Sequence, residues 1–124
     1  QIMQNLLTLQ GYQVYCCQDG QEALAVLEVE QPDLLLVDVM MPTMTGFELC
    51  HKVREKYDRL TLPVIFLTAL NQPKDLLEGF EAGANDYLVK PFCKDELYAR
   101  INAHIQAKLA NDHRIENKLL KSKC

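Results

Sequence analysis

No apolar run in this 124-residue sequence approaches the roughly 20 residues a helix needs to cross a bilayer, and the first residues lack a charged region followed by an apolar core. Membrane insertion is therefore not expected, and the chain reads as soluble, intracellular and cytoplasmic. An excess of positive charge is missing too. Lys and Arg number 13 against 17 Asp and Glu, a net charge of -4, with no basic block to form an electrostatic footprint for nucleic acid. Direct binding of DNA or RNA is not expected. The five cysteines, Cys16, Cys17, Cys50, Cys93 and Cys124, are odd in number and lack the paired short spacings of a zinc site, so they read as reduced, mostly packing thiols. His51, His104 and His113 stand in polar, helical-looking surroundings without ligand spacing and read as surface residues. Repeats and low-complexity linkers are also lacking.

What the sequence does contain is an alternation of strand-like and helix-like segments, with 48% hydrophobic residues, enough for one core in one domain. Ile2, Leu6 and Leu9 share a helical face that stops at Gly11. Residues 12–16 alternate and are rich in β formers, which predicts a strand. Asp19 and Gly20 turn the chain into a helix over about 21–30, with Ala23, Leu24 and Leu27 inward and Pro32 ending it. Residues 34–37 form a continuous apolar run, as in a parallel strand covered on both faces. After a loop over 40–46, a helix through about Tyr57 buries Phe47, Leu49, Cys50 and Val53. Pro63 opens a second buried strand through Leu67, a helix over 74–82 closes at Gly83, and a strand over 86–89 leads through Pro91 to a last helix from about Lys94. This order predicts right-handed crossovers and a doubly wound α/β fold, a parallel sheet with helices on both faces.

Three apolar runs finish on a polar residue: the first on Asp38, the second on Thr68, the third on Lys90. The carboxyl ends of parallel strands share the sheet edge where such folds place their chemistry, so a carboxylate, a hydroxyl and an ammonium are expected to converge there. Taken singly, each has a plainer reading: Asp38 as a helix cap or loop carboxylate, Thr68 as a turn cap, Lys90 as a surface lysine. Their occurrence together favours a shared site. Met40, Met41 and Met44 read as gap-filling or partner-facing apolar residues rather than redox or metal features.

The stretches LLLVDVMMPTMTGFEL, VIFLTA and EAGANDYLVKPF, in that order, resemble the receiver domains of two-component response regulators, and the resemblance extends over about residues 1–107. It implies a flavodoxin-like sheet of order 2-1-3-4-5. It also implies roles. Asp38 matches the phosphate-accepting aspartate, a nucleophile that forms an acyl phosphate. A magnesium ion (Mg2+), held by Asp38 and the backbone carbonyl of Met40, would supply the countercharge such a transfer requires. Lys90 resembles the ammonium that pairs with the phosphoryl oxygens. Thr68 resembles the hydroxyl that moves toward them, and Tyr87 the aromatic that turns inward when it does. Ala69 supplies clearance beside Thr68, and the Lys90–Pro91 bond resembles one that is cis in the family. The implied partner is a histidine kinase or phosphotransfer protein.

One departure stands out. The family begins with a central strand ending in paired acidic metal ligands, whereas Gln1 falls inside what would be the first helix, so this first strand and its acidic pair lie outside the 124 residues. The expectation is that the polypeptide has residues before Gln1; the alternative is a truncation that borrows a strand from another molecule, because an unpaired central strand edge is costly in water. Asp19, Asp33 and Asp86 are metal candidates by residue type only.

The expected organisation is a receiver domain over 1–107 and a helical extension over 108–124, a linker or coiled coil on one reading and a frayed tail on the other. Leu97, Ile101, Ile105 and Leu109 share one apolar face, with Ile115, Leu119 and Leu120 beyond it. Lys74, Glu78, Asp86 and Arg100 lie on elements many receivers use for symmetric dimers, which makes them the interface candidates if the chain pairs with a second copy, and the last helices are another route to such a homodimer. The function implied is a phosphorylation-dependent signalling switch rather than an enzyme in its own right. The alternative is a non-phosphorylated interaction module. An aspartate-nucleophile phosphatase ranks last, because Met40 stands where a second carboxylate is needed.

Overall fold

Among the described residues three strands, Leu35–Asp38 (β1), Val64–Thr68 (β2) and Asp86–Val89 (β3), lie side by side in that order, all parallel. Accompanying them among the described residues are the helices Gly20–Val29 (α1), Gly46–Arg54 (α2), Pro73–Ala82 (α3) and Lys94–Lys123 (α4). The computed structural model describes residues 7–13 and 17–123, with side chains to residue 110. The expected strand over 12–16 and the start of the opening helix fall largely outside the described residues. Leu7 to Leu9 are helical, and Gly11, at φ 89°, closes them by donating its N–H to the Thr8 carbonyl at 3.0 Å. Among the described residues no helix is long and apolar enough to cross a membrane.

The continuous apolar runs are explained by burial on both faces. Every residue of β2 is buried. Val64 and Phe66 join Val37, Tyr87 and the inner faces of α1, α2 and α3 in one core cluster. Ile65 and Leu67 point the other way, to Leu88, Leu97, Ile101 and Leu7. At about 1.5–3 kcal/mol for each fully buried large apolar side chain, these two layers supply the main drive to fold.

Helix starts are set locally. Asp19 Oδ1 accepts the Glu22 N–H at 2.9 Å to cap α1, so Gly20 opens the helix rather than belonging to the turn before it. Thr45 and Glu48 form a capping box at the start of α2. A Cβ on Gly46 would lie 2.8 Å from the Asp38 carbonyl oxygen, so only glycine lets α2 begin this close beneath the end of β1. Helix α2 ends at Arg54 rather than near Tyr57, because the Arg54 guanidinium draws the carbonyls of Tyr57 and Asp58 toward itself.

Two plain readings need correction. His104 is not simply a surface residue: it is half-buried, its Nε2 3.0 Å from Asp86 Oδ2. Cys50 is buried as expected of a packing thiol, but Cys93 is exposed. Helix α4 runs for 30 residues, about 45 Å at the usual rise. Its apolar face packs through Leu97, Ile101 and Ile105 and opens to solvent at Leu109, which is 52% exposed. Lys108 Nζ lies 3.1 Å from Asp33 Oδ1 and ties the helix to the foot of β1. His113, Ile115, Leu119 and Leu120 lie outside the described side chains.

Candidate functional site

Strand register brings the polar ends together. Asp38 ends β1 beside Leu67, Thr68 ends β2 beside Val89, and Lys90 follows β3, its N–H donated to the Thr68 carbonyl at 2.8 Å. Lys90 Nζ reaches back across the edge to Asp38 Oδ2 at 3.2 Å, and both side chains remain nearly half exposed. The Met40 N–H donates to Asp38 Oδ1 at 2.9 Å and fixes the carboxylate's orientation. An ion pair this exposed contributes roughly 0–1 kcal/mol, so its arrangement does little for stability and can be exchanged cheaply.

Thr68 sits deeper. It is fully buried, and its Oγ1 accepts the Leu70 N–H at 3.2 Å. The Leu70 carbonyl in turn accepts the Tyr87 hydroxyl at 3.0 Å. One residue of the β2–α3 loop therefore touches both the hydroxyl at the site, through its N–H, and the aromatic behind it, through its carbonyl. Burial, with the carboxylates of Asp75 and Glu78, pushes the Tyr87 phenol above its ordinary pKa. Leu70 was invisible to sequence reasoning because its backbone, not its side chain, makes both contacts.

The remaining residues separate cleanly. Ala69 is exposed next to Thr68, and the Lys90–Pro91 bond is cis. Asp38, Lys90 and Asp19 border one cleft of about 740 Å³ that runs down β1 past Leu34, Leu36 and Ile105. Asp33 lies at the far end of the sheet, paired with Lys108. Asp86 is committed within the chain: Arg100 Nη1 lies 3.0 Å from both of its oxygens, and His104 adds a third contact. Burial pushes the Asp86 carboxyl up, but the bonds from His104, the Tyr87 N–H and Arg100 outweigh it and hold the group below its ordinary value. Lys74 and Glu78 stand exposed on α3. Among the described residues no three His, Cys, Asp or Glu side chains cluster as a metal site. The donors at the edge, the Asp38 carboxylate with the backbone of Met40 beside it, are nevertheless hard oxygens of the kind magnesium uses, commonly through one or two carboxylates plus water and phosphate.

Residues 1–102 match the family model of the response regulator receiver domain. The chain is similar to a chemotaxis protein, CheY4, of Vibrio cholerae, at 36% identity and a TM-score of 0.76 over 82% of this chain and 85% of that one. It is similar to the receiver domain of a signal transduction histidine kinase from Syntrophus aciditrophicus, at 37% identity and a TM-score of 0.70 over 88% and 80% of the two chains. It is also similar to the receiver domain of a sensor histidine kinase from Pseudomonas aeruginosa PAO1, solved with a magnesium ion coordinated in its active-site cleft. Identity there is 31% and the TM-score 0.76, over 85% and 86% of the two chains.

Proposed function

The chain belongs to the response regulator receiver domain family, and from that premise we propose that it acts as a phosphorylation-dependent switch with Asp38 as the phosphoacceptor. A receiver domain is not an enzyme in its own right. The donor is a phosphohistidine on a cytoplasmic histidine kinase or phosphotransfer protein. An Asp38 carboxylate oxygen attacks phosphorus, the phosphorus–nitrogen bond breaks, and the imidazole leaves with the electron pair. Lys90, already on Asp38 Oδ2, shifts its ammonium to the phosphoryl oxygens as they arrive. The Thr68 hydroxyl donates to a phosphoryl oxygen, and its movement acts on Leu70, whose N–H it accepts and whose carbonyl holds the Tyr87 hydroxyl in the inward position. Asp38 and the Met40 carbonyl are the oxygens that would hold Mg2+, which supplies charge neutralisation to the incoming phosphoryl group. The altered surface is that of α3 and β3, where Lys74 and Glu78 are exposed, and the domain gives way to the α4 extension near residue 107.

The observation that supports this reading most is the contact of Lys90 with Asp38 across an edge where Thr68 ends the strand between them. Intact mass before and after acetyl phosphate with magnesium tests it. A magnesium-dependent gain of one phosphoryl group is expected, lost in Asp38→Asn. Persistent labelling of Asp38→Asn would sink the assignment, and no gain in the natural chain would favour a non-phosphorylated interaction module.

A further inference from the structure

Gly79 lies buried in the middle of α3, a position where glycine weakens a helix relative to alanine. Its backbone is ordinary helix, so conformation does not require it. Space does. A Cβ at Gly79 would fall 2.9 Å from Tyr87 Cδ2, 3.1 Å from Tyr87 Cε2 and 3.3 Å from Phe66 Cδ2. Phe66 is fully buried and gripped edge-on by Phe47 and Tyr87, with ring centroids 5.2 and 6.1 Å apart, so it has nowhere to retreat. Tyr87 is buried too, but at 7% exposed against 0% it is the less enclosed of the two rings and the one that can yield. Its present seat is fixed at one end by the Leu70 carbonyl and at the other by the bare backbone of α3 at Gly79.

We propose that Gly79 is a positioning residue for the switch, because the side chain it lacks makes the seat that keeps Tyr87 turned inward with its hydroxyl on the Leu70 carbonyl. The proposal rests on the reading of Tyr87 as the moving aromatic and adds where its balance is set. Helix α3, not only the sheet edge, decides how much of the inward state is populated. A single methyl on α3 would shift that population without touching Asp38, Thr68 or Lys90.

The test uses the full chain and Gly79→Ala. Site-resolved iodination, read by peptide mass spectrometry without any phosphoryl donor, is expected to rise roughly tenfold at Tyr87, the change a tenfold shift in the outward population gives, while Tyr57 and Tyr98 stay as they were. The Tyr87 phenol should titrate closer to its ordinary pKa once it is no longer buried. A glycine that matters only for helix propensity predicts a higher Tm for Gly79→Ala in any background. The seat predicts a lower Tm with Tyr87 in place and a higher one in Tyr87→Ala, where the ring is gone. Unchanged iodination of Tyr87, or the same sign of Tm change in both backgrounds, overturns the proposal. With acetyl phosphate and magnesium, Gly79→Ala should gain the phosphoryl mass yet keep Tyr87 reactive, whereas the natural chain should gain it with Tyr87 protected. If the natural chain takes up no phosphoryl group, the phosphoacceptor reading falls, and the iodination and Tm results still judge the seat by themselves.

Discussion

The two ends of the sheet spend charge in opposite ways. At the amino ends of the strands, Arg54 donates to the carbonyls of Gly83 and Leu62 at 2.8 Å each, to those of Tyr57 and Asp58, and to Asn85 Oδ1 at 2.9 Å. Asn85 passes the connection on, accepting the Val64 N–H at 3.0 Å and donating to the Arg59 carbonyl at 3.0 Å. This knot lies at the carboxyl ends of α2 and α3, where the helix dipole favours a cation, and burial pulls the guanidinium's pKa down from its ordinary value. At the carboxyl ends of the strands, Lys90 meets Asp38 at 3.2 Å with both groups open to water. Desolvated bonds are expensive to break and exposed ones are cheap to exchange. The foot of the sheet is therefore fixed, and its upper edge is left able to trade partners.

Breaking the foot should have the largest effect. Arg54→Ala leaves several carbonyls and the Asn85 oxygen short of a donor, and urea unfolding is expected to show a loss of about 3 kcal/mol. A loss under about 1 kcal/mol, the size of an exposed pair, would erase the contrast between the two ends. Asp86, at the start of β3, should give an intermediate effect that depends on pH. Its folded pKa is held below the ordinary value of 3.8, so the stability its ionised form contributes is present above that value and is lost as pH falls through the lower, folded one. Asp86→Asn should flatten the fall of the urea midpoint below about pH 3.8; an identical acid limb in both proteins would remove Asp86 from the account. The smallest stability effect is expected at the upper edge. Lys90→Ala should change unfolding by less than about 1 kcal/mol while abolishing phosphoryl uptake from acetyl phosphate, and a large destabilisation would mean that the edge is structural after all.

The layout of the strands was legible because it depends on local pattern. Runs such as 64–67 are apolar throughout, and the residue that ends each run is fixed by its place in sequence. The knot was not legible. Arg54 stands in the charged stretch KVREKYDR, which reads as a solvated helix end, and its partners Gly83 and Asn85 come from about thirty residues further on. His104 was misread for the same reason, since Asp86 reaches it only through the packing of α4 on β3. Gly79 did leave a signal. A glycine inside a helical pattern usually has a packing reason, yet the ring it accommodates lies on a different element. The overshoot of α2 to Tyr57 came from extending helical periodicity past the residue whose side chain ends the helix.

Lys108, tied to Asp33, falls at the midpoint of the 30 residues of α4. Residues 94–108 and 109–123 each span about 22 Å at 1.5 Å per residue. In mechanical terms the first of these halves is a splint laid along the sheet: Leu97, Ile101 and Ile105 pack on its underside and Arg100 and His104 hold Asp86, so the Lys108 pair is one tie among several rather than a pivot.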